Sequence, residues 1–276
     1  SYQMKIKLLI IGKKSFIGSN INNFLKKKYL IRVFDFKEFL KKDNKYLNKF
    51  SYIINCATNK NYIKLKYNHL NDFDFIIANK IVDLDIKFIF LSTRKVYKPK
   101  FNTKESDALK PQCNYSRNKI ITESKIQKIL NRKVTILRIS NLIGLPVKKV
   151  NKKLHYTFID YFFENIKKQI IYKNDKVYKD FLSIDKFCEI LDKIIINKLY
   201  GIYNVSLGKK VYLKNLVNWL NFCNKNSIYY KIIDQKYNKD CFTLNNRKLM
   251  QDTKLKNRII DLKNYSMKIS KKYFIG

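Results

Sequence analysis

The sequence predicts an α/β fold: a doubly wound parallel sheet with helices on both faces, followed by a smaller C-terminal substrate-binding subdomain. Two observations predict it. Short apolar runs alternate with longer amphipathic stretches through the first half of the 276 residues, which is typical of strand-helix-strand units. The alternation weakens after Gly144, where a polar and basic stretch follows from Val147 to Leu154.

The apolar run Lys7–Ile11 predicts a buried first strand, and Phe16–Lys27 predicts the helix after it. The packed face of that helix is expected to carry four apolar side chains: Ile17, Ile21, Phe24 and Leu25. Four more runs are predicted strands, each after a plausible helix: Ile31–Phe34, Tyr52–Asn55, Phe88–Ser92 and Val134–Ile139. Right-handed crossovers would place all five strands in one sheet.

Two units are expected along the chain. Residues 4–146 form a nucleotide-binding domain to which 177–205 return, and residues 147–176 and 206–276 form the substrate-binding subdomain, with a helix over Tyr156–Lys168. The three residues before Met4 are interpreted as an addition and left out of the fold.

Composition excludes several classes of protein. No apolar run approaches the roughly 18 to 20 residues that cross a bilayer, and no charged-then-apolar leader is visible, so we expect a soluble, cytoplasmic protein. The five cysteines form no Cys-x-x-Cys pair and the chain has only two histidines. We therefore expect neither a metal site nor a disulfide framework.

The formal net charge of +38 raises the possibility of a nucleic-acid partner. Lysine, however, is spread from end to end, and asparagine, isoleucine, tyrosine and phenylalanine are abundant with it. All five residues have A/T-rich codons, so a biased genome accounts for the lysines better than a clustered binding surface does. Nucleic acid is not the expected partner.

A glycine-containing loop follows the first strand. In a Gly-x-x-Gly-x-x-Gly loop the first glycine permits a tight turn, the second lets the backbone approach a dinucleotide pyrophosphate, and the third lets the helix pack closely. Here a serine takes the middle position. The candidate cofactor-binding residues are Gly12, Lys14, Ser15, Phe16, Ile17 and Gly18. Asp35 ends the second strand 23 residues after Gly12, where an acid can accept hydrogen bonds from ribose hydroxyls.

Tyr115 and Lys119 are four residues apart, a spacing that puts both side chains on one face of a helix. An ammonium beside a phenol stabilises the phenolate and brings the tyrosine pKa toward working pH, as acid-base chemistry at a carbonyl requires. The same spacing occurs at Tyr62 and Lys66, so the pair gains its meaning from the motifs around it.

Those motifs recur in a fixed order. They are Asn55-Cys56-Ala57, Leu91-Ser92-Thr93-Arg94-Lys95-Val96-Tyr97, Glu105, Pro111, Tyr115, Lys119, Glu123, Leu137–Gly144, Lys179–Asp185, Gly201–Val205, and Arg247 ahead of Asp252–Leu255. Over nearly the whole chain this order resembles the extended short-chain dehydrogenases/reductases, the NAD-dependent epimerase/dehydratase family. It is most similar to the nucleotide-deoxysugar 4-ketoreductases.

The resemblance implies a Rossmann-type fold, a nicotinamide dinucleotide and a nucleoside-diphosphate sugar. It implies that Thr93, Tyr115 and Lys119 are catalytic, and that Tyr115 and Lys119 also contact the cofactor. Cys56 and Ala57, which resemble the loop after the family's fourth strand, would lie along the cofactor. It further implies that Asn141 and Arg247 bind the substrate, Arg247 at the diphosphate. A homodimer is a possible assembly.

The resemblance also limits the reaction. Family members that dehydrate nucleotide hexoses carry an Asp-Glu pair after the catalytic threonine, whereas this chain carries Arg94-Lys95, two cations unsuited to that proton transfer. The short chain favours a 4-ketoreductase of deoxysugar and surface-polysaccharide biosynthesis over a 4-epimerase that retains NAD. A non-catalytic RNA-binding relative and a cofactor-sensing regulator are the alternatives outside the enzyme class, and the retained catalytic set opposes both.

The choice between NAD and NADP stays open in the sequence. Asp35 would repel a 2′-phosphate and so favours NADH. Lys13 and Lys14 could neutralise such a phosphate and so favour NADPH.

Overall fold

The computed structural model describes residues 6–147, 157–173, 176–225, 229–232 and 240–276. The strands in these ranges are β1 (Lys7–Ile11), β2 (Leu30–Phe34), β3 (Tyr52–Asn55), β4 (Lys87–Thr93), β5 (Val134–Ile139), β6 (Asn141–Ile143), β7 (Ile170–Lys173), β8 (Tyr178–Lys179), β9 (Phe181–Ser183), β10 (Gly201–Val205), β11 (Val211–Tyr212) and β12 (Tyr229–Ile232). The α-helices are α1 (Phe16–Leu25), α2 (Phe36–Leu40), α3 (Asn44–Leu47), α4 (Lys60–Lys64), α5 (Phe73–Ile81), α6 (Asn114–Leu130), α7 (Phe158–Lys167), α8 (Ile184–Ile196), α9 (Leu213–Leu220), α10 (Arg247–Thr253) and α11 (Ile259–Phe274).

Six strands form one sheet in the order β2-β1-β3-β4-β5-β10, and every neighbouring pair is parallel. The five strands predicted from apolar runs are its first five along the chain, each within one residue of the expected bounds. The sixth, β10, is the strand expected to return to the nucleotide domain. The predicted α/β fold with a parallel sheet is therefore confirmed.

The direction of winding changes between β1 and β3. The chain moves from β1 outward to β2, and then crosses to β3, β4 and β5 on the other side. In open α/β sheets ligands bind beyond the carboxyl ends of the strands at such a switch point. Ile11 and Asn55 are register partners at this end, and the N–H of Cys56 donates to the carbonyl of Ile11 at 2.7 Å. The topology places a ligand site at the loops after these residues.

Both faces of the sheet are covered, which explains why its strands are continuous apolar runs. On β1, Leu8 and Ile10 belong to the core that includes residues of α1 and α8, while Leu9 and Ile11 belong to the core with residues of α5 and α6. All four side chains are fully buried.

One expectation about α1 is wrong. Phe24 was expected on the packed face but is 41% exposed. The buried residues of α1 are Gly18, Ile21 and Leu25. At 100° per residue, Phe24 lies roughly 90° around the helix from the centre of that stripe, so its ring faces solvent. The helix also ends at Leu25, two residues before the expected end.

The second half builds a separate core around α7, α9 and α11, to which Phe162, Leu216 and Leu262 contribute. The predicted helix over Tyr156–Lys168 corresponds to α7, although Tyr156 lies outside the described residues, as does the basic stretch after Val147. The division into two domains stays a prediction. In the described ranges, none of the helices has the length and apolar character needed to span a bilayer.

Candidate active site

The loop between β1 and α1 is packed tightly against the loop after β3. Gly12 has φ +122°, and a Cβ at this position would lie 3.0 Å from the carbonyl carbon of Cys56. A Cβ on Gly18 would lie 3.1 Å from the carbonyl oxygen of Gly12. The positive φ makes glycine necessary at Gly12, whereas a side chain at Gly18 would have to displace the Gly12 carbonyl slightly.

Ser15 shows why the middle glycine can be replaced. It is the N-cap of α1 with φ −74°, a conformation open to any L residue, and its hydroxyl accepts the N–H of Gly18 at 3.1 Å. The next N–H groups, of Phe16 and Ile17, are first-turn groups without an intrahelical acceptor. Both N–H groups lie at the N-terminal end of α1, which is the positive end of the helix dipole, and exposed Lys14 lies beside them. This end of α1 could hold a pyrophosphate.

Asp35 lies at the end of β2 and caps α2. Its carboxylate accepts the N–H of Glu38 at 2.8 Å, and the carboxylate of Glu38 accepts the N–H of Asp35 at 2.8 Å. Lys13 donates to Glu38 at 2.6 Å. Two carboxylates therefore lie where the adenosine ribose of a dinucleotide is expected, and one of the two loop lysines is already paired.

Asn55 shapes the loop that carries Cys56 and Ala57. Its side chain accepts the N–H of Ala57 at 3.0 Å and donates to the carbonyl of Ala57 at 3.0 Å. The same amide donates to Asp74 at 2.7 Å. Burial raises the pKa of the Cys56 thiol, so this residue borders the site as a neutral side chain and is not suited to be a nucleophile.

Thr93 is the last residue of β4, and Tyr115 and Lys119 lie on α6, which is bonded to that strand. Tyr115 lies in the first turn of α6, and the ammonium of Lys119 is 5.8 Å from the centre of its ring. Lys119 also donates to the carbonyl of Leu91 on β4 at 2.9 Å. Thr93 lies two residues further along the same strand, and its hydroxyl oxygen accepts the N–H of Lys95 at 3.2 Å, which leaves the hydroxyl proton to be donated.

Asp74 is a member of this group that the sequence analysis missed. Its carboxylate is 3.5 Å from the ammonium of Lys119, and both side chains are buried. Burial raises the pKa of Asp74 to about 6 against the opposing effect of Lys119. Desolvation by itself would lower the pKa of Lys119, but Asp74 and Tyr115 reverse that effect and the pKa is raised. The available signal was an acid inside the apolar stretch Phe73–Ile77.

The two predicted substrate residues lie in the second half of the chain or at its border. Asn141 begins β6, which pairs with β9. Arg247 is the exposed first residue of α10, and the preceding Asn246 donates to the carbonyl of Ser206, next to the end of β10. Their roles toward a substrate stay predictions.

Comparison with known families decides the assignment. The model of the NAD dependent epimerase/dehydratase family matches residues 8–206, which include the glycine loop, Thr93, Tyr115 and Lys119. The chain belongs to this family. The predicted membership is thereby confirmed, and with it the use of a nicotinamide dinucleotide. No curated protein sequence matches the chain.

Solved structures share the fold of this family member. A UDP-N-acetylglucosamine 4-epimerase from Methanobrevibacter ruminantium, in complex with UDP-N-acetylmuramic acid, is 18% identical with a TM-score of 0.80, covering 98% of this chain and 99% of the other. A dTDP-4-dehydrorhamnose reductase from Clostridium acetobutylicum is 17% identical with a TM-score of 0.72, covering 94% and 98%. A dTDP-glucose 4,6-dehydratase from Bacillus anthracis, in complex with NAD, is 18% identical with a TM-score of 0.71, covering 97% and 96%. At these identities the likeness shows the fold alone.

Proposed function

We propose that the chain reduces a 4-ketohexose, either 6-deoxy or oxygenated at C6, carried on a nucleoside diphosphate, with NADH or NADPH as reductant. The observation that carries this proposal is the position of Tyr115 and Lys119 beside β4, next to the glycine loop of a dinucleotide-binding family. When bound, the nicotinamide supplies a hydride to the carbonyl carbon.

Three side chains would complete the reduction. The hydroxyl of Thr93 donates a hydrogen bond to the substrate carbonyl oxygen and fixes its position. The phenol of Tyr115 gives its proton to the alkoxide that forms when hydride reaches the carbon. Lys119, held by the carbonyl of Leu91 and by Asp74, stabilises the phenolate left on Tyr115.

The residues after Thr93 oppose a dehydratase. Elimination of water needs an acid and a base next to the sugar, and this chain has Arg94 and Lys95 there. The guanidinium of Arg94 is bound to the carboxylate of Asp240 and has no basic lone pair.

A 4-epimerase is the second candidate, because the family whose model matches residues 8–206 is that of the NAD dependent epimerases and dehydratases. Both reactions use the same three side chains, because an epimerase oxidises and re-reduces one carbon. They differ in their demand for cofactor: a reductase consumes one reduced dinucleotide per product, whereas an epimerase returns its cofactor unchanged.

The test is turnover of dTDP-4-keto-6-deoxyglucose, followed by NADH and NADPH absorbance, with wild type and Tyr115→Phe. We expect stoichiometric cofactor oxidation by the wild type and a loss of about 10² to 10⁴ in kcat for the variant, with cofactor binding retained. Tyr200→Phe, at an exposed tyrosine, is the control. Unchanged turnover in Tyr115→Phe would overturn the catalytic assignment. Interconversion of UDP-sugars without cofactor consumption would select the epimerase.

A further inference from the structure

Arg94 is a buried cation at the edge of the candidate active site. It directly follows Thr93, and its side chain is 9% exposed. The guanidinium donates two hydrogen bonds to the carboxylate of Asp240, at 2.7 and 3.1 Å, and lies 4.0 Å from the centre of the Phe242 ring. This is the planar, two-bond geometry with which arginine recognises a carboxylate.

A second cation binds the same carboxylate. The ammonium of Lys179, at the end of β8, donates to Asp240. Among the described residues, Asp240 is the one carboxylate paired with either cation, so this cluster carries one excess positive charge. Burial would raise the pKa of Asp240, but Arg94 and Lys179 lower it to about 2, and the carboxylate is ionised. Two cations around one anion form a site with room for further negative charge.

Arg94 also has an unused donor. Its Nε–H is buried and has no hydrogen-bond partner among the described residues. Nearly all buried polar groups in proteins have a partner, so the Nε–H of Arg94 is a donor still open to an acceptor from water or from a ligand.

Asp240 can move away from Arg94 and Lys179 without disturbing the residues that follow it. Its side chain is 49% exposed, whereas the segment after it is anchored independently. Thr103 donates its N–H to the carbonyl of Thr243 at 3.0 Å, and the N–H of Leu244 donates to the buried carboxylate of Asp180 at 3.0 Å. Moving Asp240 away from the two cations therefore leaves the anchored part of the segment in place.

We propose that Arg94 and Lys179 form a binding site for a carboxylate on the sugar of the substrate, and that Asp240 fills this site when no substrate is bound. The inference rests on the proposed function, because it requires a nucleotide-linked sugar at Thr93, and it selects a sugar with a carboxylate at C6 over a 6-deoxy sugar. A sugar whose oxygen is held by Thr93 brings its other substituents to the same end of β4, where Arg94 begins the next turn. The carboxylate of the acidic sugar displaces Asp240 and binds Arg94 side-on, through Nε and one Nη, in place of the end-on pairing with Asp240.

The test compares the binding of UDP-glucuronic acid and UDP-glucose, two probes that differ in one carboxylate, by titration calorimetry. We expect the wild type to favour the acid. Asp240→Asn, which removes the competing charge, should increase that preference at least about tenfold, and Lys179→Gln and Arg94→Gln should each abolish it. Asp261→Asn is the matched control, because Asp261 also accepts two bonds from an arginine, Arg258, away from this cluster.

Each outcome bears on the proposal. An unchanged preference in Asp240→Asn overturns it, and NADH binding by the same variant shows that the nucleotide domain is intact. Turnover of a neutral 4-keto sugar with no preference for the acid overturns this site and leaves the proposed function standing. A preference for UDP-glucuronic acid without turnover of any 4-keto sugar overturns the proposed function and leaves the site standing. Binding of neither probe by any variant overturns this site, and the turnover test with the 4-keto sugar still decides the proposed function.

Discussion

The ammonium of Lys119 lies 3.5 Å from the carboxylate of Asp74, and the second oxygen of that carboxylate accepts a hydrogen bond from Asn55 at 2.7 Å. Lys119, the proposed catalytic lysine on α6, is thus connected through one buried acid on α5 to Asn55, which shapes the Cys56–Ala57 loop. Asp74 therefore links the Cys56–Ala57 loop to Lys119, and we expect a substitution of Asp74 to affect both.

Replacement of Asp74 by asparagine is expected to shift the pH dependence of turnover. The folded-state pKa of Lys119 is raised, so its ammonium contributes stability that is present below the ordinary lysine pKa and is lost as pH rises through the raised value. Without the carboxylate, desolvation dominates and the lysine loses its proton at lower pH. The alkaline limb of the kcat profile should therefore move to lower pH.

The control for this experiment is Asp83→Asn, at an exposed acid just beyond α5. It should leave the profile in place. An unmoved alkaline limb in Asp74→Asn, with NADH still bound, would show that the buried carboxylate plays no part in holding the proton on Lys119.

The Lys13–Glu38 ion pair predicts a preference for NADH over NADPH. Of the two lysines that could neutralise a 2′-phosphate, Lys13 is paired with Glu38 at 2.6 Å, and Asp35 adds a second carboxylate beside the ribose position. A phosphate placed against two carboxylates is repelled. Glu38→Gln should release Lys13 and lower the ratio of kcat/KM for NADH over NADPH by about tenfold or more.

Lys37→Gln, an exposed lysine of the same short helix, is the comparison variant and should not change the ratio. The interpretation of this loop would be wrong if the wild-type enzyme used NADPH better than NADH, or if Glu38→Gln strengthened the preference for NADH.

The sequence predicted those parts of the fold and site that local patterns encode. Buried parallel strands are continuous apolar runs, and Tyr115 and Lys119 are one helical turn apart, so both were visible without a structure. Residues that the fold brings together from distant parts of the chain were not visible in the sequence. Asp74 approaches Lys119 from another helix, and Asp240 meets Arg94 from 146 residues away. Contacts between residues this far apart in sequence leave no periodic pattern from which they could be predicted.

The glycine loop offers a test of which of its positions require glycine. Gly12→Ala places a Cβ 3.0 Å from the Cys56 carbonyl carbon at φ +122°, so we expect a large loss of NADH affinity and of thermal stability. Ser15→Gly keeps an allowed backbone and costs only a few tenths of a kcal/mol as a cap, so it should leave both nearly unchanged. Fluorescence titration with NADH and thermal melts measure the two effects. Equal losses in both variants would contradict the distinct roles assigned here.

The Arg138–Glu123 pair predicts where charge removal destabilises the fold. The guanidinium of Arg138 donates to Glu123 at 2.6 Å, both side chains are 4% exposed, and Arg138 also donates to the hydroxyl of Tyr97 at 2.8 Å. Glu123→Gln leaves a buried guanidinium without its counter-charge, so the free energy of unfolding should fall by about 3 to 5 kcal/mol in urea denaturation. Asp107→Asn, which removes the acid of a partly exposed pair with Lys100, should change the unfolding midpoint little. If the two variants lost the same stability, burial would not be what gives the Arg138–Glu123 pair its effect.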